Sequence, residues 1–245
     1  MIADIWTVAW KELRGLLYAN ASLARGLRPL LFSLAVFGVF LPLQMGHGLV
    51  DSPAALLPWV WVPFLMVNGV VADAFAGERE RHTLETLLVT RLPDRAIFLG
   101  KVLAAIVYGF GFALVSALLG VVVVNVAEGE GRPLFYPPQV LAVLVAFGLL
   151  GSACIAGVGT LVSMRAATVR QASQTVSIAL FAVVLAPVLF VNVVPAEWRA
   201  SLDRTIQQIG LVETAVAVAA ALAALDAVLL LIGMARFRRD RLALD

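Results

Sequence analysis

The sequence predicts an all-α, polytopic membrane protein. It should have six transmembrane helices, an N-terminal amphipathic helix at the membrane interface, and a short helix in the charged connection between spans two and three. Hydrophobic residues make up 62% of the 245-residue chain and charged residues 14%, against roughly 45–50% and 25% in soluble domains. A mean hydropathy of +0.97 cannot be hidden inside a sphere of this size, so lipid is the solvent for much of the chain. The apolar residues form continuous runs and lack the ten-residue alternation of barrel strands, so the spans are helical. The charges gather in a few connections. A lone cysteine, Cys154, cannot form an internal bridge and leaves the redox compartment open.

Residues 1–26 come first. Ile2, Ile5, Trp6, Ala9, Trp10, Leu13, Leu16 and Leu17 recur at helical spacing, with Asp4, Lys11, Glu12 and Arg14 off that stripe. Those charges interrupt any signal-peptide core. Two tryptophans on the apolar face suit a helix lying among headgroups. Spans of about 20 apolar residues follow at about 29–50, 54–77, 96–126, 137–163, 172–194 and 209–234, the last interrupted by Glu213 and Asp226. Small residues at four-residue spacing line the third span (Ala105, Gly109, Ala113, Ala117) and the fourth (Gly148, Ser152, Ala156, Thr160), which permits close helix approach in lipid.

An even number of spans places both termini on one side. Of the 18 Lys and Arg, all but Arg132, Arg199 and Arg204 fall in the N-terminal segment, the 77–101 and 164–171 connections and the C-terminal tail. The positive-inside rule assigns those segments, and both termini, to the cytoplasm. The basic balance is therefore a topology signal, and no nucleic-acid partner is expected.

The connection Asp73–Lys101 carries most of the remaining information. Gly77 can break the second span. Leu84, Leu87 and Leu88 then sit at i, i+3 and i+4, flanked by Glu80, Arg81 and Glu85, which predicts a short amphipathic helix over about 80–91. Pro93 and Asp94 supply a stop and a new start. The segment Glu78-Arg79-Glu80, then Thr83-Leu84-Glu85-Thr86-Leu87-Leu88, Pro93 and Gly100-Lys101 resembles the signature of permease subunits of ATP-binding-cassette (ABC) transporters of the type-2 exporter class. The likeness takes in the N-terminal helix, the six spans and the basic tail. One departure is His82, where the family more often has glycine or another small residue.

The resemblance implies that the short helix is a coupling helix seated in a cleft of a cytosolic ATPase subunit. Glu78, Glu80, Arg81, Thr83, Leu84, Glu85, Leu87 and Leu88 would carry that contact. It also implies two permease halves, as a homodimer or a homologous heterodimer, in the inner (plasma) membrane. ATP and magnesium would sit on the partner ATPase, with no cofactor bound by this chain. The residues agree independently: a phosphate-binding loop needs G-x-x-x-x-G-K-[ST]. Here Arg95 stands where the first glycine should be, and Val102 follows Lys101.

Ionisable and polar groups at membrane depth are costly and suggest function. Asp226, Glu213, Asp73 and Asn68 are the candidates for a translocation path or gate; for Asp226 an interhelical hydrogen bond is the structural alternative. His47 and His82 are expected on opposite sides of the membrane, which disfavours an intramembrane protease and a metal cluster. The competing function is a non-transporting ABC-type subunit that transmits ATPase motion to an extracytoplasmic partner.

Overall fold

The computed structural model describes residues 1–17, 23–51, 56–83, 89–129, 131, 133–193, 195, 197–199 and 211–237. Every element among them is a helix. The chain opens with α1 (Ile2–Leu17), whose Asp4 in the first turn and Arg14 in the last complement the helix dipole. Next, α2 (Leu23–Leu34) runs through a wider π-helical segment (Ala35–Phe40) into α3 (Leu41–Met45). The chain turns at Gly46, whose φ of 51° suits a residue without a Cβ, into α4 (Gly48–Asp51). Then come α5 (Leu56–Ala72), a second π-helical segment (Asp73–Gly77) and α6 (Glu78–Glu80). The long helices α7 (Asp94–Glu128), α8 (Pro138–Ser163), α9 (Val169–Val193) and α10 (Leu211–Arg236) complete the bundle.

Among the described residues, four stretches are long and apolar enough to cross a bilayer: Leu27–Met45, Asp94–Glu128, Pro138–Ser163 and Val212–Arg236. α5 and α9 stand where the second and fifth spans are expected. Proline behaves as read: Pro93, extended at ψ 143°, immediately precedes α7. Gly77 does not. It keeps helical torsions (φ −68°, ψ −37°), and the helix continues through it to Glu80. Its missing Cβ instead makes room for the Asp73 carboxylate, with the Arg81 guanidinium 3.1 Å from where a Cβ would stand.

α5 is wedged between α7 and α8. Val67 presses into a notch at Gly109 and Val71 into one at Gly159, where a Cβ would collide with each valine. All eight small residues of the two stripes are buried. At the charged end, Phe237 packs against Phe75 and Phe98 with ring centroids 5.2 and 6.2 Å apart. Toward the other end, Asn125 closes the loop after α7: its amide donates to the Leu134 carbonyl (2.8 Å) and its oxygen accepts from the Leu134 N–H (2.7 Å). Val107, Val115, Leu118, Val122 and Val126 on α7, and Val216, Leu225, Val228 and Leu231 on α10, point outward. Such apolar faces are a liability in water and ordinary contact in lipid.

α7 has 35 residues, about 52 Å of helix against a hydrocarbon core of about 30 Å. It therefore projects beyond the core, and α1 crosses it near Gly100. There a Cβ would stand 2.6 Å from Val8 Cβ and 3.0 Å from the Ile5 carbonyl, so glycine sets the approach of the two helices.

Candidate functional site at the charged end

The second-span helix outlives its apolar run because its backbone is satisfied from a neighbour. In a π-helical segment the i→i−4 pattern is interrupted and backbone groups need other partners. Ser163, fully buried at the end of α8, supplies them. Its hydroxyl oxygen accepts from the Phe75 and Ala76 N–H groups (3.1 and 3.0 Å), and its proton goes to the Ala72 carbonyl (2.9 Å).

Beyond Glu80 the helix ends in a Schellman arrangement. The Thr83 N–H donates to the Glu78 carbonyl (2.8 Å) and the His82 N–H to the Arg79 carbonyl (3.1 Å). His82 takes the left-handed position at φ 55°, which glycine occupies most easily. The departure at His82 thus falls on a helix stop. His82→Gly should raise stability by about 1 kcal/mol, because the Cβ strain of that conformation is removed. A rise in melting temperature of the solubilised protein would show it, and an unchanged or lower value would refute it.

Four consecutive charged residues point in four directions. Glu78 turns inward, its side chain 8% exposed, and accepts from Lys101 Nζ at 2.9 Å. Lys101, 1% exposed, also donates to Glu12 Oε1 of α1 at 3.0 Å and lies 5.2 Å above the Phe75 ring. Lys11 completes the cluster, 3.3 Å from Glu12 and 3.6 Å from Glu78, with 62% of its side chain exposed. Burial pushes the Glu12 carboxyl up, but the Lys101 and Lys11 ammoniums more than offset it and hold it below its ordinary value.

Arg79 reaches the turn between α8 and α9, where its guanidinium donates to the Met164 carbonyl (3.0 Å) and to that of Ala166. Cations suit a helix C-terminus. Glu80 accepts from the Val169 N–H (3.1 Å), meeting the first free donor of α9. Arg81 turns back on Asp73 through two parallel bonds of 2.9 and 3.1 Å. This pairing with Asp73 raises the guanidinium's pKa above its ordinary value.

The stretch therefore joins α1, the π-helical end of α5, α7, and the α8–α9 turn. The model of the ABC-2 type transporter family matches residues 3–202.

The chain belongs to the ABC-2 type transporter family.

No curated protein is significantly similar to it. This ABC-2 protein is a multi-pass membrane permease, the membrane subunit of an ABC transporter. Its expected coupling residues divide into two groups. Glu78, Glu80 and Arg81 are bonded within the subunit, and Thr83 is exposed at the helix stop. Leu84, Glu85, Leu87 and Leu88 lie outside the described residues; on their flanks, Arg81–His82 and Val89–Leu92 form turns and bends.

The path candidates are dispersed. Asp73 belongs to the charged cluster, bonded to Arg81. Asn68, half-buried on α5, donates to Ser177 (2.8 Å) and Ser173 (3.4 Å) of α9. Glu213 is exposed in the first turn of α10, where an acid is favourable. Asp226 is buried between α10 and α8, and among the described residues neither carboxylate oxygen has a hydrogen-bond partner; the Cys154 thiol faces it. Among those residues no interhelical bond from a Ser, Thr or Asn reaches it.

Sequence reading missed Lys11, Glu12 and Ser163 as members of the site and saw Lys101 only within the motif. One signal was available: a lysine inside an apolar run needs a buried carboxylate, and Glu78 and Glu12 were the acids within reach. Ser163 extends the small-residue stripe of α8 by a further turn.

Proposed function

We propose that this ABC-2 subunit forms half of the substrate path of an exporter, with a second permease copy, identical or homologous, forming the other half. Separate cytosolic ATPase subunits, holding ATP and magnesium, drive it. The chain spans the plasma membrane six times, with both termini and the charged end in the cytoplasm. The observation that supports this reading most is the divergence of the Glu78–Arg81 bonds. A motor engaging the residues that follow, Leu84 to Leu88, would displace α1, α5, α7 and the α8–α9 turn together, because each is fastened to this stretch. Glu78, Glu80 and Arg81 act as transmitters within the subunit, and Leu84, Glu85, Leu87 and Leu88 as the contact surface.

The path runs along α5 and α9. Within its expected span α9 turns Gln174 outward near the cytoplasmic end, whereas the mid-portions of α7 and α10 face outward with aliphatic side chains. An amide facing lipid is costly; against a second copy or a wet path it is satisfied. Asn68 stands beside this face. Asp226 lies away from it, between α8 and α10, and serves as a gating or structural group.

Co-expression with the ATPase subunit tests the reading. Leu84→Asp with Leu87→Asp should abolish co-purification of the ATPase. Glu85→Lys should leave partial assembly with ATP hydrolysis no longer responsive to the permease. Wild-type co-purification and activity in both variants would sink the assignment.

A further inference from the structure

We propose that Phe237 is a positioning residue that carries the motor's stroke from the charged stretch into α10 and opens the seam between Asp226 and Cys154. The proposal rests on the reading that a motor engages the segment after Arg81. It extends that reading to a helix that none of the Glu78–Arg81 bonds reaches, and that lies outside the residues matched by the family model. Of the described residues from 212 to 237, Asp226, Gly233 and Phe237 are the buried ones. Their spacing puts all three on one helical face, so α10 is held to the bundle at its charged end and near its middle.

The two holds differ in kind. At the charged end Phe237, 2% exposed, continues the last turn of α10 through its N–H bond to the Gly233 carbonyl (2.9 Å). Its ring packs on those of Phe75 and Phe98. The Phe98 ring lies against Gly233, where a Cβ would stand 2.2 Å from its Cζ. Phe75 is tied to the charged stretch in turn: its ring lies under Lys101 Nζ, which bonds Glu78 at 2.9 Å. Glu78, Lys101, Phe75 and Phe237 thus touch in succession, and close-packed groups pass a displacement on.

Asp226 precedes Phe237 by about 16 Å of helix. Here Leu229 fits against Gly157, whose Cβ would stand 3.1 Å from that of Leu229, and such close approach favours a shut seam. The Asp226 carboxyl opposes it. Among the described residues neither of its oxygens has a partner, and burying such a group is costly. When the stretch displaces Phe75, the aromatic end of α10 follows and the opposed contacts at Asp226 give way.

The test uses the assembled transporter carrying Cys154→Ala, so that only introduced cysteines take spin labels. A seam pair, Leu149→Cys with Leu225→Cys, reports on α8 and α10 from exposed positions; a path pair, Leu65→Cys with Ile178→Cys, reports on α5 and α9. Labelled permease is diluted with unlabelled copies, and double electron–electron resonance reads the distances with and without trapped ATP. Both pairs should shift on trapping. Phe237→Ala should abolish the shift of the seam pair and keep that of the path pair, and Phe237→Tyr should restore the seam shift. Phe237→Leu, milder on folding, should reduce the seam shift in the same selective way. A seam pair that stays still while the path pair shifts, or that shifts fully in the leucine variant, would overturn the proposal and leave the motor reading standing. So would a leucine variant that silences both pairs alike, since that marks a general structural role. Two silent pairs in the transporter with native Phe237 would contradict the motor reading, and the proposal with it.

Discussion

Lys101→Met will destabilise the solubilised subunit by about 3–5 kcal/mol, the cost of stripping one partner from a buried ion pair. Methionine keeps the apolar stem and removes the ammonium. Glu78 then loses its 2.9 Å bond while 8% exposed, and among the described residues its Oε2 is already without a partner. Glu12 falls back on Lys11, which is largely exposed and screened. A second consequence distinguishes this cause from simple loss of packing. Adding Glu78→Gln to Lys101→Met removes the uncompensated carboxylate, so the double variant should be less destabilised than the sum of the singles by about 1.5 kcal/mol or more. Denaturation of the four proteins of the cycle measures it. Strict additivity would show that the two groups do not depend on one another.

Ser163→Ala should cost about 2–4 kcal/mol, far more than deleting a hydroxyl usually does. One oxygen satisfies two buried N–H groups, those of Phe75 and Ala76, and each orphaned buried donor costs about 1–3 kcal/mol. The hydroxyl of Ser152 provides the control, because it bonds within its own helix to the Gly148 carbonyl at 2.7 Å. Ser152→Ala orphans no N–H and should cost less than about 1 kcal/mol. Thermal unfolding of both variants tests the contrast. Equal losses would mean that the π-helical end of α5 finds its donors another partner.

These effects fall on residues that were unequally legible. The all-helical, membrane-spanning class was readable because a bilayer imposes length and apolarity on any helix that crosses it, and four helices among the described residues meet both conditions; the small-residue stripes were readable because close packing needs a missing side chain at every turn. The start of α7 directly after Pro93 followed from local chemistry. Gly77 misled, because its freedom to break a helix was read where its lack of a Cβ was what counted. The stop lies at His82, a residue type that tolerates the left-handed conformation but does not announce it. The divergence of Glu78, Arg79, Glu80 and Arg81 could not be read from spacing: it depends on α6 being a single turn, whose side chains radiate around the axis. Glu12 belonged to the polar side of α1 by periodicity, and only the crossing of α1 over Gly100 brings it to Lys101.

The central claim is that a motor grips the segment just beyond this stretch. A photoreactive amino acid at Thr86 tests it most directly, in membranes containing the assembled transporter, with the same group at His47 as the comparison. The account predicts a covalent adduct with the ATPase subunit from position 86 and none from position 47. An ATPase that co-purifies yet forms no adduct at 86, or forms one at 47, would contradict it.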